Sequence, residues 1–401
     1  MTMASRTGIF GEPGPRGMSR RRLLAAGAAS AGALTLAPLM TACGTKPTAS
    51  SSLAPDLSDT EHVVNFSNWQ LYIDVDENDA TKHPTLDGFT QKTGITVNYS
   101  EDIDDADVFS AKLMPTFKAG QDTGRDILVP TEEVGTKWIR AGFVEKLDKA
   151  LLPNVTANLL DSLRNPAWDP DRVYTVPWQT GCTGIAFDSS KTKPVNTITE
   201  LLTRPDLHGK VALIRDWRDT VCLVMLEMGV DIGTYTDDQF MAAVEVVQKA
   251  VDSGQVRAFT GNNYTELLVN GSVHACLAWS GDIVQLQYDA PGMTYVPPES
   301  GQLIWGDTMV IPEQAQHRKN AHELINYYYD PAVAARVSAT VQYICPVKGA
   351  QSEMEKIDPT LVDNPLIFPD AAFLATTHTS RLVDEATQAR YADAWTKVTG
   401  T

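Results

Sequence analysis

The chain is poor in the patterns that announce catalysis or metal binding. Seven histidines and five cysteines are spread over 401 residues. No G-x-S-x-G, P-loop, H-E-x-x-H or G-x-G-x-x-G occurs, which removes the usual motif-based hydrolase, phosphate-loop, zinc-protease and dinucleotide readings. No cysteine pair has C-x-x-C spacing, so neither a zinc site nor a dithiol redox centre is expected. His317 and His322 are the nearest histidine pair, and their offset of five does not put both on one helix face. No metal and no cofactor are expected. Long apolar runs are missing too. The segment 23–40 is rich in Ala, Gly, Ser and Thr, whereas a spanning helix needs about 20 strongly apolar residues. Positive charge is scarce: the net charge is −17, and residues 1–42 hold five Arg against one Glu, so the remainder is more acidic still. Such a chain repels nucleic acid and anionic lipid and attracts small cations.

What is present begins with an address. Ser19-Arg20-Arg21-Arg22-Leu23-Leu24 precedes the apolar segment, and Met40-Thr41-Ala42-Cys43 closes it. An arginine pair before a moderately apolar stretch reads as a twin-arginine export signal over residues 1–42. Small residues just before a cysteine read as a lipoprotein cleavage box, with Cys43 the site of lipid attachment. The mature chain is therefore expected outside the cytoplasm, anchored to the membrane by that lipid. Met18, directly before the arginines, is a second candidate start. Residues 43–57 are rich in Ser, Thr and Pro and read as a flexible tether.

Hydrophobic periodicity predicts strands at 62–69, 95–99 and 126–129 and helices at 84–93, 107–118 and 133–141, with Gly94 closing the first helix. This βαβα order implies a mainly parallel sheet covered on both faces. A second alternating set follows: strands at 183–187, 211–214, 275–279 and 303–311, and helices at 237–251, 264–269, 321–329, 331–342 and 384–398. Two α/β units with late segments returning to the first predict a bilobed body, and ligands bind at such interfaces.

Acids and aromatics cluster just after the predicted strands: Trp69 and Tyr72, Thr131 to Glu133, Asp216 to Asp219, Trp279 to Asp282, and Trp305 to Asp307. Residues beyond strand C-termini in a parallel sheet face the ligand crevice. Five segments could thus send carboxylates and rings to one place. Capping of the following helix is the plainer role for Asp216 and Asp219, and core packing the plainer role for the tryptophans. Of the cysteines beyond Cys43, Cys182, Cys222, Cys276 and Cys345 permit two disulfides or four free buried thiols.

The ordered series Asn68-Trp69…Tyr72, Thr93-Gly94-Ile95-Thr96-Val97, Asp126-Ile127-Leu128-Val129-Pro130-Thr131, Tyr174-Thr175-Val176-Pro177-Trp178, Asp216…Asp219, Trp279-Ser280-Gly281-Asp282, Trp305-Gly306-Asp307-Thr308, Ala321 to Asn326 and Tyr343 resembles the spermidine/putrescine-binding family of ABC-importer solute-binding proteins. The resemblance spans residues 60–400. It implies the bilobed α/β periplasmic-binding-protein fold, with lobe 1 at 58–180 plus 305–352 and lobe 2 at 181–304 plus 353–401. It also implies a monomer that captures a small-molecule cation, a polyamine, and delivers it to a membrane permease without chemistry.

By that resemblance Asp216, Asp219, Asp282 and Asp307 are ammonium acceptors, and Trp69, Trp279, Trp305, Tyr72 and Tyr343 are walls. Thr131 and Glu133 come from the lobe 1 loop, and Arg381 falls near a ligand-contact position. Arg218 is expected to point away, and Arg381 to pair with Glu133 or Asp282 or to meet a ligand carboxylate. Cys222 with Cys276 and Cys182 with Cys345 are the candidate disulfides. Competing readings are a receptor for another organic cation or an amino-acid derivative, a secreted hydrolase using Asp216 and Asp282, and a surface lipoprotein that binds another protein.

Overall fold

A computed structural model describes residues 53–400 other than 77 and 80. The signal segment, Cys43 and most of the tether lie outside the described residues. Β-strand β1 (Val63–Trp69) lies between β2 (Thr96–Ile103) and β3 (Ile127–Leu128), both parallel to it. The helix Pro84–Thr93 starts on a proline, whose missing N–H costs nothing in the first turn. It stops at Gly94, whose φ of 77° is the left-handed conformation that glycine adopts without strain. The helix Ala106–Lys118 is capped by the Asp105 carboxylate.

The second sheet contains β4 (Val176–Asp188), β5 (Val211–Ile214), β6 (Val256–Thr260), β7 (Ala275–Trp279), β8 (Met293–Val296), β9 (Gln302–Met309) and β10 (Thr377–His378). Their order is β10-β9-β4-β7-β5-β6, with β8 also on β4. Here the sheet is mixed: β4 runs antiparallel to β7, β8 and β9, while β5 is parallel to β6 and β7. All 13 residues of β4 are buried. It extends seven residues N-terminal of the expected strand at 183–187; a strand covered on both faces shows no alternation, and Pro177 and Gly181 interrupt that half. The helix Trp217–Glu227 follows Asp216 as the capping role of that residue implies, but nine of its eleven residues are buried, so it has no polar face and periodicity does not set its bounds.

Two large cores hold the body together. The first gathers Phe66, Phe89, Ile127, Leu324, Tyr328 and Val337; the second gathers Leu213, Val221, Phe240, Val247, Tyr391 and Trp395. β4 and β9 join them. Val176 and Trp178 of β4 and Met309 of β9 pack in the first core, whereas Ile185 and Phe187 of β4 and Leu303 of β9 pack in the second. Met354, Leu361 and Ile367, expected in lobe 2, pack in the first core; the C-terminal helix Glu385–Thr399 packs in the second. The tether ends earlier than expected. Ala54 and Leu57 bond to Gln314 and to the Gln316 carbonyl, and Arg318 bonds back to the Ala54 carbonyl.

The four described cysteines are free and buried, which corrects both disulfide pairings. Cys222 belongs to the core on one face of the second sheet, while Cys276 belongs to the cluster on the other face, so the sheet separates them. Thr180 and Ile344 form an antiparallel bridge. That register sets position 345 against Gln179, three residues short of Cys182. Burial pushes the thiols of Cys182 and Cys222 up to about 12 and that of Cys345 up to about 11, so none is a ready nucleophile. A chain beginning after Cys43 is expected to titrate four thiols in denaturant without reductant, and none within minutes when folded. Fewer than four, counted with Ellman's reagent, would restore a disulfide.

Candidate functional site

Strand ends build the site. At the end of β1 the chain turns through Leu71, a non-glycine residue at φ 57°, and this reversal carries Tyr72 back into the interior. The Trp69 indole donates to the Val129 carbonyl at 2.8 Å, which ties the β1 exit to the β3 exit. Thr131 caps the helix Glu132–Ala141 and forms an isolated bridge with Asp307 of β9. After β5, Asp216 caps the helix Trp217–Glu227, accepting from the Arg218 N–H at 2.8 Å. β7 ends on Trp279 and leads directly into the helix Ser280–Asp289, which carries Asp282.

These ends enclose a cavity of about 330 Å³. Trp69, Tyr72, Thr131, Glu133, Asp216, Asp219, Trp279, Asp282, Trp305, Asp307 and Tyr343 all line it. Arg381 does not. Its neighbours Ser380 and Leu382 do, while the Arg381 side chain is held away from the cavity by its own partners. The Arg381 N–H bonds to the Ile232 carbonyl. Its guanidinium lies 4.3 Å from the Tyr235 ring, 3.3 Å from the Tyr391 hydroxyl and 3.9 Å from Asp237. Its expected pairing with Glu133 or Asp282 is replaced by these contacts.

The aromatic walls are interlocked. Tyr72 and Tyr343 meet edge to face at 5.1 Å, Trp305 lies 5.6 Å from Tyr343, and Trp279 lies 6.3 Å from Trp305. Both Trp279 and Trp305 pack against the two cores at once. Two glycines make room for the rings. A Cβ on Gly181 would sit 2.5 Å from the Trp305 ring, and one on Gly281 would sit 2.4 Å from Tyr343. Trp168 and Asn262 line the cavity as well. Sequence reasoning passed over both, since neither follows a strand with an acid beside it; the loop signal Trp168-Asp169-Pro170 was the available hint.

Six carboxylates face the cavity: Glu132, Glu133, Asp216, Asp219, Asp282 and Asp307. Their partners divide them. Glu132 pairs with the buried Arg172 at 3.2 Å. Glu133 and Asp216 both pair with Arg218, which lines the cavity and so corrects the outward orientation expected for it. Asp282 is 3 % exposed and accepts from Tyr343 at 2.8 Å, Tyr264 at 2.7 Å and Asn262 at 2.8 Å. Asp219 accepts from Thr183 and, at 3.4 Å, from the Trp279 indole. Asp307 is 4 % exposed; its Oδ2 accepts from Tyr72 at 2.9 Å, and its Oδ1 has no partner among the described residues.

Burial raises the affinity of Asp219, Asp282 and Asp307 for protons. The Asp219 carboxyl is pushed up to about 6 by burial, against the hydrogen bonds from Thr183 and Trp279. Asp307 is held well above the carboxylate range by burial, with Glu132 and Asp219 adding repulsion. Asp282 is raised by burial and only partly lowered by its three donors. The arrangement is a desolvated acidic slot between aromatic faces, able to accept charge-assisted hydrogen bonds from a cation.

A two-lobed α/β body whose central cleft presents acids and rings from strand ends has the form of a solute receptor. The chain belongs to the bacterial extracellular solute-binding protein family, which matches residues 85–369. It is 26% identical over 315 residues to the spermidine/putrescine-binding periplasmic protein of Escherichia coli K12, covering 78% of this chain and 85% of that one. It is 27% identical over 354 residues to spermidine/putrescine-binding periplasmic protein 1 of Haemophilus influenzae, covering 88% and 93%. Among solved structures, a putative spermidine/putrescine ABC transporter from Listeria monocytogenes superposes with a TM-score of 0.72 at 23% identity, covering 84% of this chain and 99% of that one. That likeness establishes the bilobed fold.

Two predictions follow from the geometry. Gly281→Ala should drive Tyr343 off Asp282 and cost about 1–3 kcal/mol of stability; an unchanged melting temperature would count against the interlocked rings. Asp219 has a folded-state carboxyl above its unfolded value, so its contribution favours folding at low pH and is lost as pH rises through about 6. Asp219→Asn should therefore gain stability relative to the wild type between pH 4 and 7.5, on the order of 2 kcal/mol. A pH-independent difference in calorimetry would contradict this.

Proposed function

We propose that this chain is the extracytoplasmic receptor of an ABC importer and captures a polyamine of the putrescine/spermidine kind. The observation that carries the reading is the unpartnered, buried Oδ1 of Asp307 in an aromatic slot. A buried carboxylate oxygen without a donor costs free energy, and an ammonium donating to it removes that cost. Trp305 and Trp279 supply flat faces for the methylenes, and each ring attracts an ammonium by about 0.5–2 kcal/mol. Asp219 offers a second acceptor across the slot. The names of the Escherichia coli and Haemophilus influenzae relatives support the same ligand class.

The finer parts of the reading rest on sequence. Export follows the twin-arginine route, Cys43 carries the lipid, and the folded monomer works outside the cytoplasm beside a permease. A ligand bearing a carboxylate is not favoured, because Arg381 is turned outward and Arg218 already holds Asp107, Asp216 and Glu133. A hydrolase built on Asp216 and Asp282 is not favoured either, since the first pairs with Arg218 and the second accepts three hydrogen bonds.

Calorimetry against putrescine, spermidine, spermine, basic amino acids and choline tests the reading. One-to-one binding of the diamine or triamine is expected, weakened about 10- to 100-fold by Asp307→Asn, the loss of a charge-assisted hydrogen bond. Affinity should also fall on acidification, with Asp219 contributing through about 6, because both Asp219 and Asp307 have raised proton affinities and must give up their protons to accept an ammonium. Heat with choline or a basic amino acid alone would reject a polyamine.

A further inference from the structure

The carboxylates around Arg218 come from both sides of the cleft. Arg218 and Asp216 stand at the start of the helix Trp217–Glu227, which packs in the second core. Glu133 lies in the first turn of the helix Glu132–Ala141, and Asp107 in the first turn of Ala106–Lys118; both helices pack with β3 and Val310. Arg218 Nη1 is 3.0 Å from Asp107 and 3.1 Å from Asp216, and its Nε pairs with Glu133. Gln388, on the C-terminal helix of the second core, donates to both Asp107 oxygens at 3.1 and 3.2 Å. Lys137 completes the Asp107 shell at 3.2 Å. Burial pushes the Asp107 carboxyl up, but Arg218 and Lys137 outweigh it and hold the group below its ordinary value.

Asp107 does not line the cavity, yet it takes bonds from two elements of the opposite lobe. We infer that Asp107, with Arg218 and Gln388, is a latch that holds the two lobes together over the captured ligand. Asp107 is thereby a positioning residue for capture that touches no ligand. The inference rests on the receptor reading above and adds to it. Charge-assisted bonds across a closing gap form only when the lobes meet, so they act on the lifetime of the closed complex more than on encounter. Opening the cleft would separate Asp107 from Arg218 and Gln388 while leaving its bond to Lys137, whose helix stays on the same side. A latch of this kind serves every ligand equally.

The test uses the full chain with putrescine and spermidine by stopped-flow fluorescence. Asp107→Asn should raise the dissociation rate about tenfold for both ligands, keep their affinity ratio, and leave the association rate within about twofold. Gln388→Ala should move the same way by a smaller factor, and Asp107→Glu should recover most of the residence time. A purely structural role would lower the melting temperature without separating the two rates. Spin labels on Lys112→Cys and Lys397→Cys, both exposed, read the lobe separation without any ligand. The wild type should populate a short distance that Asp107→Asn loses. Identical distance distributions, or an unchanged dissociation rate in a chain that binds putrescine, would overturn the latch. A wild type with the short distance but no polyamine binding would overturn the polyamine reading and leave the latch supported.

Discussion

Uncompensated negative charge, held out of water, governs this molecule. A carboxylate moved from water into a protein interior loses solvation worth several kcal/mol unless a cation or enough donors replace it. Asp282 receives its replacement from two phenols and an amide. Asp219 and Asp307 receive less, and burial raises the proton affinity of both. The ligand-free chain therefore carries a cost at its centre, met by keeping a proton on these acids or, on the reading proposed above, by a small cation in the slot. Binding energy of this kind comes from removing a penalty already built into the fold, which is why the rings and hydrogen bonds around the acids matter as much as the acids.

The scaffold sustains the penalty because the surrounding elements are over-determined. β4 and β9 run from one core to the other, so the acids and rings on or beside them cannot relax without disturbing both. Tyr72 is fixed at both ends, its ring against Tyr343 and its hydroxyl on Asp307. Gly181 and Gly281 are small so that Trp305 and Tyr343 can approach the backbone. Close packing keeps water from reorganising around the carboxylates, and a low local dielectric keeps their interactions strong.

Much of this was legible in the sequence. The helix Pro84–Thr93, the strand Val211–Ile214 and the strand Ala275–Trp279 fall where their residues predict, because each has its own stop signal or apolar run. Acids and aromatics placed after strands converge as the crevice rule requires. What was illegible depends on long-range partners. Sequence could not say that Arg218 turns inward, because its orientation is set by Asp107, 111 positions away. Nor could it say that Cys222 and Cys276 lie on opposite faces of one sheet, since that follows from strand pairing. Arg381 is placed near the site by the family resemblance, and its contacts with Tyr235, Tyr391 and Asp237, none of them close in sequence, hold it away.

The two kinds of carboxylate act in opposition when the lobes meet. Asp307 sits on β9 where it bridges to Thr131, while Asp219 belongs to the helix Trp217–Glu227 of the second core. Asp219 repels Asp307, one of the causes that raise the latter's proton affinity. Closing an empty cleft thus brings two acids together in a dry space, which disfavours ionising both of them. Arg218 opposes that cost from the other end by attracting Glu133 and Asp107. The balance is conditional. With a diammonium ligand between Asp219 and Asp307, repulsion becomes two attractions, and the Arg218 contacts add to them. Without it, the same closure sets attraction at one end against repulsion at the other. A ligand shifts such an equilibrium only by its differential affinity for the closed state, and a cation placed between these two acids has that differential built in.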